Sequence, residues 1–285
     1  MTYKTIDVHP ISGALGAEIE GVDLSRELDA AVVAEIRKAW LEHLVVFFRD
    51  QQLTPAEQVA LAKRFGEPLE YPFVQGLPGF PMVTRVIKEP EETVNFGGLW
   101  HTDTTYQACP PMGTMLYALE LPPVGGDTLF ANGYLAYETL SPGLKATLDT
   151  LTGVFSSHKG RVVDTRAARI ADAPKAGSDE ARVAEHPVVR EHPETGRKSL
   201  YVSFAHTTHF KGWTEAESKT LLDFLFEYQA RPEFTCRFRW TPGSLTLWDN
   251  RCALHNPIND YHGYRRELHR ITLAGQPTSA ETAPG

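Results

Sequence analysis

Between residues 82 and 274 the chain is cut into short apolar runs by glycine, proline and small polar residues. That punctuation constrains the fold more than any other feature. Runs of four to eight residues bounded by turn formers suit strands, whereas helices need about ten or more. Residues 82–87, 113–119, 128–131, 151–158, 186–190, 199–203, 235–240, 244–248 and 268–274 are read as strands. Earlier β-like pieces occur at 6–9 and 17–19, and the continuous apolar run Leu44-Val45-Val46-Phe47-Phe48 suits a buried strand. Pro242-Gly243 and Glu194-Thr195-Gly196 are read as turns between hairpin strands.

Three segments carry helical signals instead. In 28–43, Ala31, Val32, Ile36, Trp40 and Leu44 recur near helical spacing. Thr54-Pro55-Ala56-Glu57 supplies an N-cap, a proline at the first helical position and a capping-box acid, predicting a helix to about Phe65. Thr214-Glu215-Ala216-Glu217 starts another, to about Gln229. Many strands and few helices predict a mainly β fold, a sandwich or jelly roll with flanking helices. With no clean linker, 1–285 is read as one domain. The stretch about 160–185 is read as a mobile lid or surface loop, because 167–182 lacks any β pattern.

Composition excludes several classes. No run approaches the roughly 20 apolar residues of a membrane helix. The opening MTYKTIDVHP lacks the basic start and apolar run of a signal peptide. Cys109, Cys236 and Cys252 are too few and too dispersed for a disulfide scaffold or a paired-cysteine zinc knuckle. A reducing cytoplasm is the expectation. A formal charge of −8 argues against nucleic acid as a general partner, while leaving room for a local basic pocket near the C-terminus.

The chemistry is read from histidine and carboxylate spacing. His101-Thr102-Asp103 would put two ligands on one face of a strand. Alone it is weak, since 11 histidines and 36 acids among 285 residues make one or two such triplets expected by chance. The other triplet, His192-Pro193-Glu194, falls in a predicted turn and is read as structural. Far along the chain, Trp248-Asp249-Asn250-Arg251 precedes His255, with Arg266 eleven residues beyond it and Arg270 four further. A second histidine from a distant strand would complete a two-histidine, one-carboxylate facial triad, which leaves three positions open and suits Fe(II) oxygenases. A turn at 259–263 and a returning strand would bring the arginines back, and a guanidinium fork can hold an oxoacid carboxylate.

Trp100-His101-Thr102-Asp103, Gly125-Gly126-Asp127-Thr128-Leu129-Phe130, Trp248-Asp249-Asn250-Arg251 and Arg265-Arg266-Glu267-Leu268-His269-Arg270 resemble, in order, the motifs of the taurine dioxygenase family. This family of Fe(II)- and 2-oxoglutarate-dependent oxygenases includes alkylsulfatases and aryloxyalkanoate dioxygenases. The likeness runs from the early 11–24 segment to the last strand. It implies a double-stranded β-helix (jelly-roll) core. By resemblance His101, Asp103 and His255 would hold iron, and Arg266 and Thr128 the distal carboxylate of 2-oxoglutarate. Trp248 would pack near the metal, and Arg270 would meet an anionic group of the prime substrate. O2 would be consumed, with release of succinate and CO2, as a small organic anion (sulfonate, sulfate ester or carboxylate) is hydroxylated. Asp103 speaks against a halogenase. A cytoplasmic homo-oligomer, dimer or tetramer, is also implied.

Arg265 and His269 would face the other side of the strand. Asn95 is the expected substrate-contacting asparagine. The sequence departs from taurine dioxygenase proper at Tyr71 and Val74, where that enzyme has histidine and tyrosine, and at His206, where it has phenylalanine. Tyr71 and His206 are therefore expected pocket walls for a substrate other than taurine, with an alkyl or aryl part. Two alternatives stand beside this reading: a catalytically silent metal- or ligand-binding jelly roll, and a zinc hydrolase using the same three ligands, which would leave Arg266 and Thr128 without a task.

Overall fold

The short runs do form strands, and their order fixes where the two ends of the site meet. The computed structural model describes residues 3–159, 164, 165, 167, 170, 174–177 and 180–278. Its first part contains β1 (Asp7–Pro10), β2 (Ala17–Glu20), α1 (Ala30–His43), β3 (Val45–Phe48), α2 (Pro55–Lys63), β4 (Pro68–Leu69) and β5 (Thr84–Lys88). The middle contains β6 (Gly113–Glu120), β7 (Thr128–Asn132), α3 (Gly133–Glu138), α4 (Pro142–Leu148), β8 (Thr152–Ser156), β9 (Val183–Pro187), β10 (Val189–Glu191), β11 (Lys198–Leu200) and β12 (Thr207–Phe210). Then follow α5 (Glu215–Gln229), β13 (Thr235–Phe238), β14 (Leu245–Asp249), β15 (Ala253–Pro257) and β16 (Arg266–Leu273).

The major sheet has eight strands in the order β1-β2-β3-β14-β6-β16-β4, with β5 also paired to β16. All its pairings are antiparallel except β2 with β3. Facing it is the sheet β13-β7-β15. Phe47 on the major sheet stacks on Phe238 (ring centroids 4.0 Å) and meets Phe130 edge-on at 5.7 Å, so aromatic rings fill the space between the layers. On the outer face of the major sheet, α1 and α2 bury Ile36, Ala39, Trp40, Leu61 and Ala62 against Val46, Met115 and Leu247. A third core joins α3, α4 and α5 to Leu200 and Phe210. This is the expected mainly β jelly roll with helices outside.

Both capping boxes form: Thr54 and Glu57 exchange hydrogen bonds at the start of α2, and Thr214 and Glu217 do so at α5. Two expectations need correction. Pro242-Gly243 does turn the chain, but β13 and β14 do not form a hairpin, because β13 pairs with β7 and β14 with β3 and β6. Leu245–Asp249 is buried on both faces and belongs in the centre of the major sheet, so the turn carries the chain from one layer to the other. The run at 186–190 is divided at Val188, whose N–H and C=O bond Leu151 and Tyr201 instead of continuing one ladder. Nearly half of the 160–185 stretch lies outside the described residues, and from Val183 onward it is already strand β9.

Candidate active site

His101 and His255 face each other directly. An isolated antiparallel bridge joins the two residues, with His101 N–H donating to the His255 carbonyl (3.0 Å) and His255 N–H to the His101 carbonyl (2.8 Å). The rings lie 4.0 Å apart. His101 Nδ1 donates to the Leu99 carbonyl at 2.7 Å, which leaves the Nε2 lone pair free and aimed at the centre of the site. Gly97 has φ +70°, and a Cβ there would sit 3.1 Å from the His101 ring, so the chain passes the imidazole only as glycine.

Asp103 is not on a regular strand, contrary to the expectation drawn from spacing. It opens a turn after the bridge in which Thr104 takes a positive φ of 44°. The turn folds its carboxylate back, so that Oδ1 lies 3.6 Å from His101 Nε2 and 3.8 Å from His255 Nε2. The three ligand atoms all lie within 4.8 Å of one another, a set one ion could gather. Burial opposes ionisation of Asp103, but the charge of Arg270 counters it and helps hold the carboxyl well below its usual range. Burial, reinforced by His101, holds His255 well below the usual imidazole value, so it stays neutral and ligand-ready.

Strand β16 carries both arginines. Residues 266, 268 and 270 share its inner face, and Leu268 between them is fully buried in the inter-sheet core. Arg265 and His269 point away: Arg265 pairs with Glu89, Glu120 and Glu267, and His269 meets Gln58. Arg266 is buried beneath the rings of Trp240 and Tyr261, and its Nε and Nη2 have no hydrogen-bond partner. No carboxylate among the described residues lies within ion-pair distance of it. Gly126, at φ +72°, lets the chain pass its aliphatic stem, since a Cβ would meet Arg266 Cδ at 3.2 Å. Arg266, Thr128, Trp248, His255, Pro257 and Leu116 line one cavity that also reaches His101 and Asp103. Trp240 donates its indole N–H to Thr128 Oγ1 (3.0 Å), leaving the hydroxyl proton for a ligand.

A second, small cavity opens beside the triad between Tyr71, Phe96, Leu99, Tyr106, Ala205, His206 and Arg270. Arg270 lies over the Tyr71 ring (4.9 Å), and its Nη2 is 3.0 Å from Asp103 Oδ1, although neither Nε nor Nη2 is aligned for a hydrogen bond. His206 accepts or donates to Thr105 Oγ1 through Nδ1 (3.0 Å) and meets Tyr106 edge-on at 5.0 Å. The donor set fits a ferrous ion beside a dicarboxylate: two imidazoles and one carboxylate converge, and a buried guanidinium without a counter-ion stands in the adjoining cavity.

The model of the family described as "Taurine catabolism dioxygenase TauD, TfdA family" matches residues 7–272. The chain belongs to this family. An alkylsulfatase of Acinetobacter baylyi is 36% identical, over 97% of this chain and 87% of its own length. An alpha-ketoglutarate-dependent sulfate ester dioxygenase of Pseudomonas putida is also 36% identical, over 95% and 90%. Among solved structures, a taurine dioxygenase from Burkholderia xenovorans superposes with a TM-score of 0.81 at 40% identity, covering 96% of this chain and 92% of its own. Another, AAD-2 in complex with Mn(II) and N-oxalylglycine, gives 0.78 at 26% identity, covering 97% and 100%. The family is one of 2-oxoglutarate-dependent iron dioxygenases, and these likenesses do not favour a silent binding protein.

For this family member, not every expected residue reaches a cavity. The Asn95 amide is engaged elsewhere, donating to the Pro257 carbonyl (3.3 Å) and accepting from Tyr261 Oη (2.8 Å), and it lines neither cavity. Trp248 does lie against the site, its ring 4.6 Å from that of His255. His192, Asp249 and Cys252 form a second ligand-like cluster. Its bonding suits a structural role. His192 Nδ1 accepts from the Glu194 and Thr195 N–H groups, so Nε2 carries the proton and donates to Asp249 (3.0 Å), while Arg251 holds both Asp249 oxygens. No imidazole lone pair is left for an ion. Two polar residues absent from the expected set, Thr114 and Asn250, stand directly behind Asp103. A threonine inside an apolar strand gives no sequence signal of that position, and Asn250, although it lies in the 248–251 motif, gives none of the side chains it would meet.

Proposed function

We propose that this chain hydroxylates a small organic anion bearing an alkyl or aryl part, with His101, Asp103 and His255 as iron ligands. Arg266 and Thr128 would hold the distal carboxylate of 2-oxoglutarate, and Arg270 the anionic group of the prime substrate. Bound Fe(II), with O2 and 2-oxoglutarate, would supply the oxidising power that hydroxylates a substrate carbon while succinate and CO2 leave. The observation that carries the reading is Arg266, a buried cation with unpartnered donors in the cavity next to the triad. A buried charge without a counter-ion is costly, and a carboxylate bound bidentately would offset that cost. Nothing in a hydrolase or a simple metal store calls for it.

The chain's own groups divide the remaining work. Trp248 shields His255 from the side, and Phe130 and Leu116 continue the apolar wall, which keeps water from the reacting centre. Tyr71, Phe96 and Tyr106 offer hydrocarbon and ring surfaces to the substrate's body, with Arg270 at one end. This lining supports sulfate esters or aryloxyalkanoates over taurine. The names of relatives agree in class: two at 36% identity are an alkylsulfatase and a sulfate ester dioxygenase, and one at 34% is an (S)-phenoxypropionate/alpha-ketoglutarate-dioxygenase. When the hydroxylated carbon carries the ester or ether oxygen, the product collapses with C–O cleavage.

The reading treats 1–285 as one domain, because the proposed ligands come from both halves of the chain, and it includes a cytoplasmic homo-oligomer. No described helix is long and apolar enough to cross a membrane. The test is a panel of sulfate esters, aryloxyalkanoates and sulfonates including taurine, scored for succinate release and O2 uptake. At least one ester or aryloxyalkanoate should drive stoichiometric turnover with kcat/KM at least about tenfold above taurine, a difference of about 1.4 kcal/mol in transition-state stabilisation. Taurine matching the best compound would overturn the substrate assignment. Absence of substrate-dependent succinate throughout would overturn the reaction.

A further inference from the structure

Behind Asp103 runs a chain of buried hydrogen bonds with a single polarity. Trp248 Nε1 donates to Asn250 Oδ1 (2.9 Å), Asn250 Nδ2 donates to Thr114 Oγ1 (2.9 Å), and Thr114 Oγ1 donates to Asp103 Oδ2 (2.6 Å). Asp103 N–H adds a longer contact to Asn250 Oδ1 (3.4 Å). Chemistry fixes each direction. An indole nitrogen only donates, so the oxygen of the Asn250 amide must face it and the NH2 must face Thr114. An ionised carboxylate only accepts, so the one hydroxyl proton of Thr114 must go to Asp103. Trp248, Asn250, Thr114 and Asp103 are all buried, so water does not compete for these partners. Strand register builds the relay: Trp248 lies opposite Thr114 in the β14–β6 pair, and Asn250 follows at the end of β14.

The two carboxylate oxygens of Asp103 therefore have different surroundings. Oδ1 faces His101 Nε2 and His255 Nε2, with Arg270 Nη2 beside it at 3.0 Å, whereas Oδ2 is held by a short bond to Thr114. A carboxylate can bind a metal through one oxygen or through both. A facial triad keeps three open positions only if its carboxylate uses one. We propose that Thr114, oriented by Asn250 and Trp248, is a positioning residue that keeps Asp103 a one-oxygen ligand and so preserves the third open position. Trp248 then has two tasks, since the same ring covers His255. The inference rests on Asp103 being a metal ligand, as proposed above.

The test compares Thr114→Val, which keeps the shape and loses the hydroxyl, with Thr114→Ser, which keeps the hydroxyl. Affinity is read by titrating the metal-free full-length proteins anaerobically with Co(II), and coordination by the visible absorption of the Co(II) and Fe(II)·2-oxoglutarate forms. Outer-sphere partners of metal ligands typically govern affinity by about 10–100-fold. Thr114→Val should lose Co(II) affinity in that range and change the absorption spectrum, with kcat falling more than substrate KM rises. Thr114→Ser should stay within about threefold of wild type. Trp248→Phe, which keeps a ring over His255 but lacks the N–H, should weaken Co(II) binding several-fold, and it serves if Thr114→Val does not fold. Wild-type affinity and spectra in a folded Thr114→Val protein, or in Trp248→Phe if the valine variant does not fold, would overturn the proposal. Failure of wild type itself to bind Co(II), or wild-type binding in Asp103→Ala, would instead overturn the ligand assignment beneath it.

Discussion

His186 shows how one buried imidazole ties the site's turn to acid stability. Nε2 donates to the Thr105 carbonyl (2.7 Å), two residues beyond Asp103, and Nδ1 meets Thr278 Oγ1 at 2.5 Å. Burial, partly opposed by the bond to Thr105, pulls its pKa down to about 4. The unfolded chain takes up the proton near its ordinary value of about 6.5, while the folded protein resists until about 4. The stability this group contributes is therefore complete above 6.5 and is lost as pH falls from 6.5 towards 4, by an amount on the order of 3 kcal/mol. Urea unfolding at several pH values should show a steeper acid loss for wild type than for His186→Gln in that window; equal slopes would contradict it. At this scale the sequence was legible where chemistry demands a residue type at a spacing. His101, Asp103, His255 and Arg266 stand out because the proposed metal and oxoacid chemistry would need them. Thr114 and His186 do not, because an ordinary strand threonine or core histidine has the same local surroundings. Asn95 was expected at a cavity, but the backbone at Gly97 and Gly98 turns the following residues, not Asn95, toward the site.

Elements were legible where local signals decide them. Both capping boxes bond as their sequences predict, since each is closed within four residues. Thr214→Ala should remove the cap of α5 and cost about 1 kcal/mol, read as a lower urea midpoint with unchanged slope and unchanged turnover. A change in turnover would mean that α5 bears on the site more directly than its packing against Phe210 and Leu200 indicates. Strand partners were less legible than strands. Pro242-Gly243 reads as a hairpin turn from sequence, but Gly243 N–H bonds the Ala118 carbonyl and its carbonyl receives Gln51 N–H, so the turn is anchored to neighbours on two other segments. Strand β15 is short and partly polar, so His255 was expected on a strand whose limits could not be drawn; its pairing with β7 supplies the missing definition.

Across the whole molecule, the jelly roll solves one problem of geometry. It brings a bridge at residue 101, the middle of β15 at 255 and an inward strand face at 266–270 to one place, so the proposed metal ligands and the proposed anion-binding arginines share a wall. The chain's order of motifs foretold which residues meet, whereas the fold alone explains how Asp103 reaches them from a turn. The most direct test of the account is equilibrium binding of 2-oxoglutarate, under strictly anaerobic conditions, to wild type and to Arg266→Met, each with and without Fe(II). The account predicts stoichiometric binding that requires Fe(II) and weakens by about 100-fold or more without the guanidinium, the loss expected when a buried charged hydrogen-bond pair is broken. Binding that ignores the metal, or equal affinity in the Arg266 variant, would contradict it.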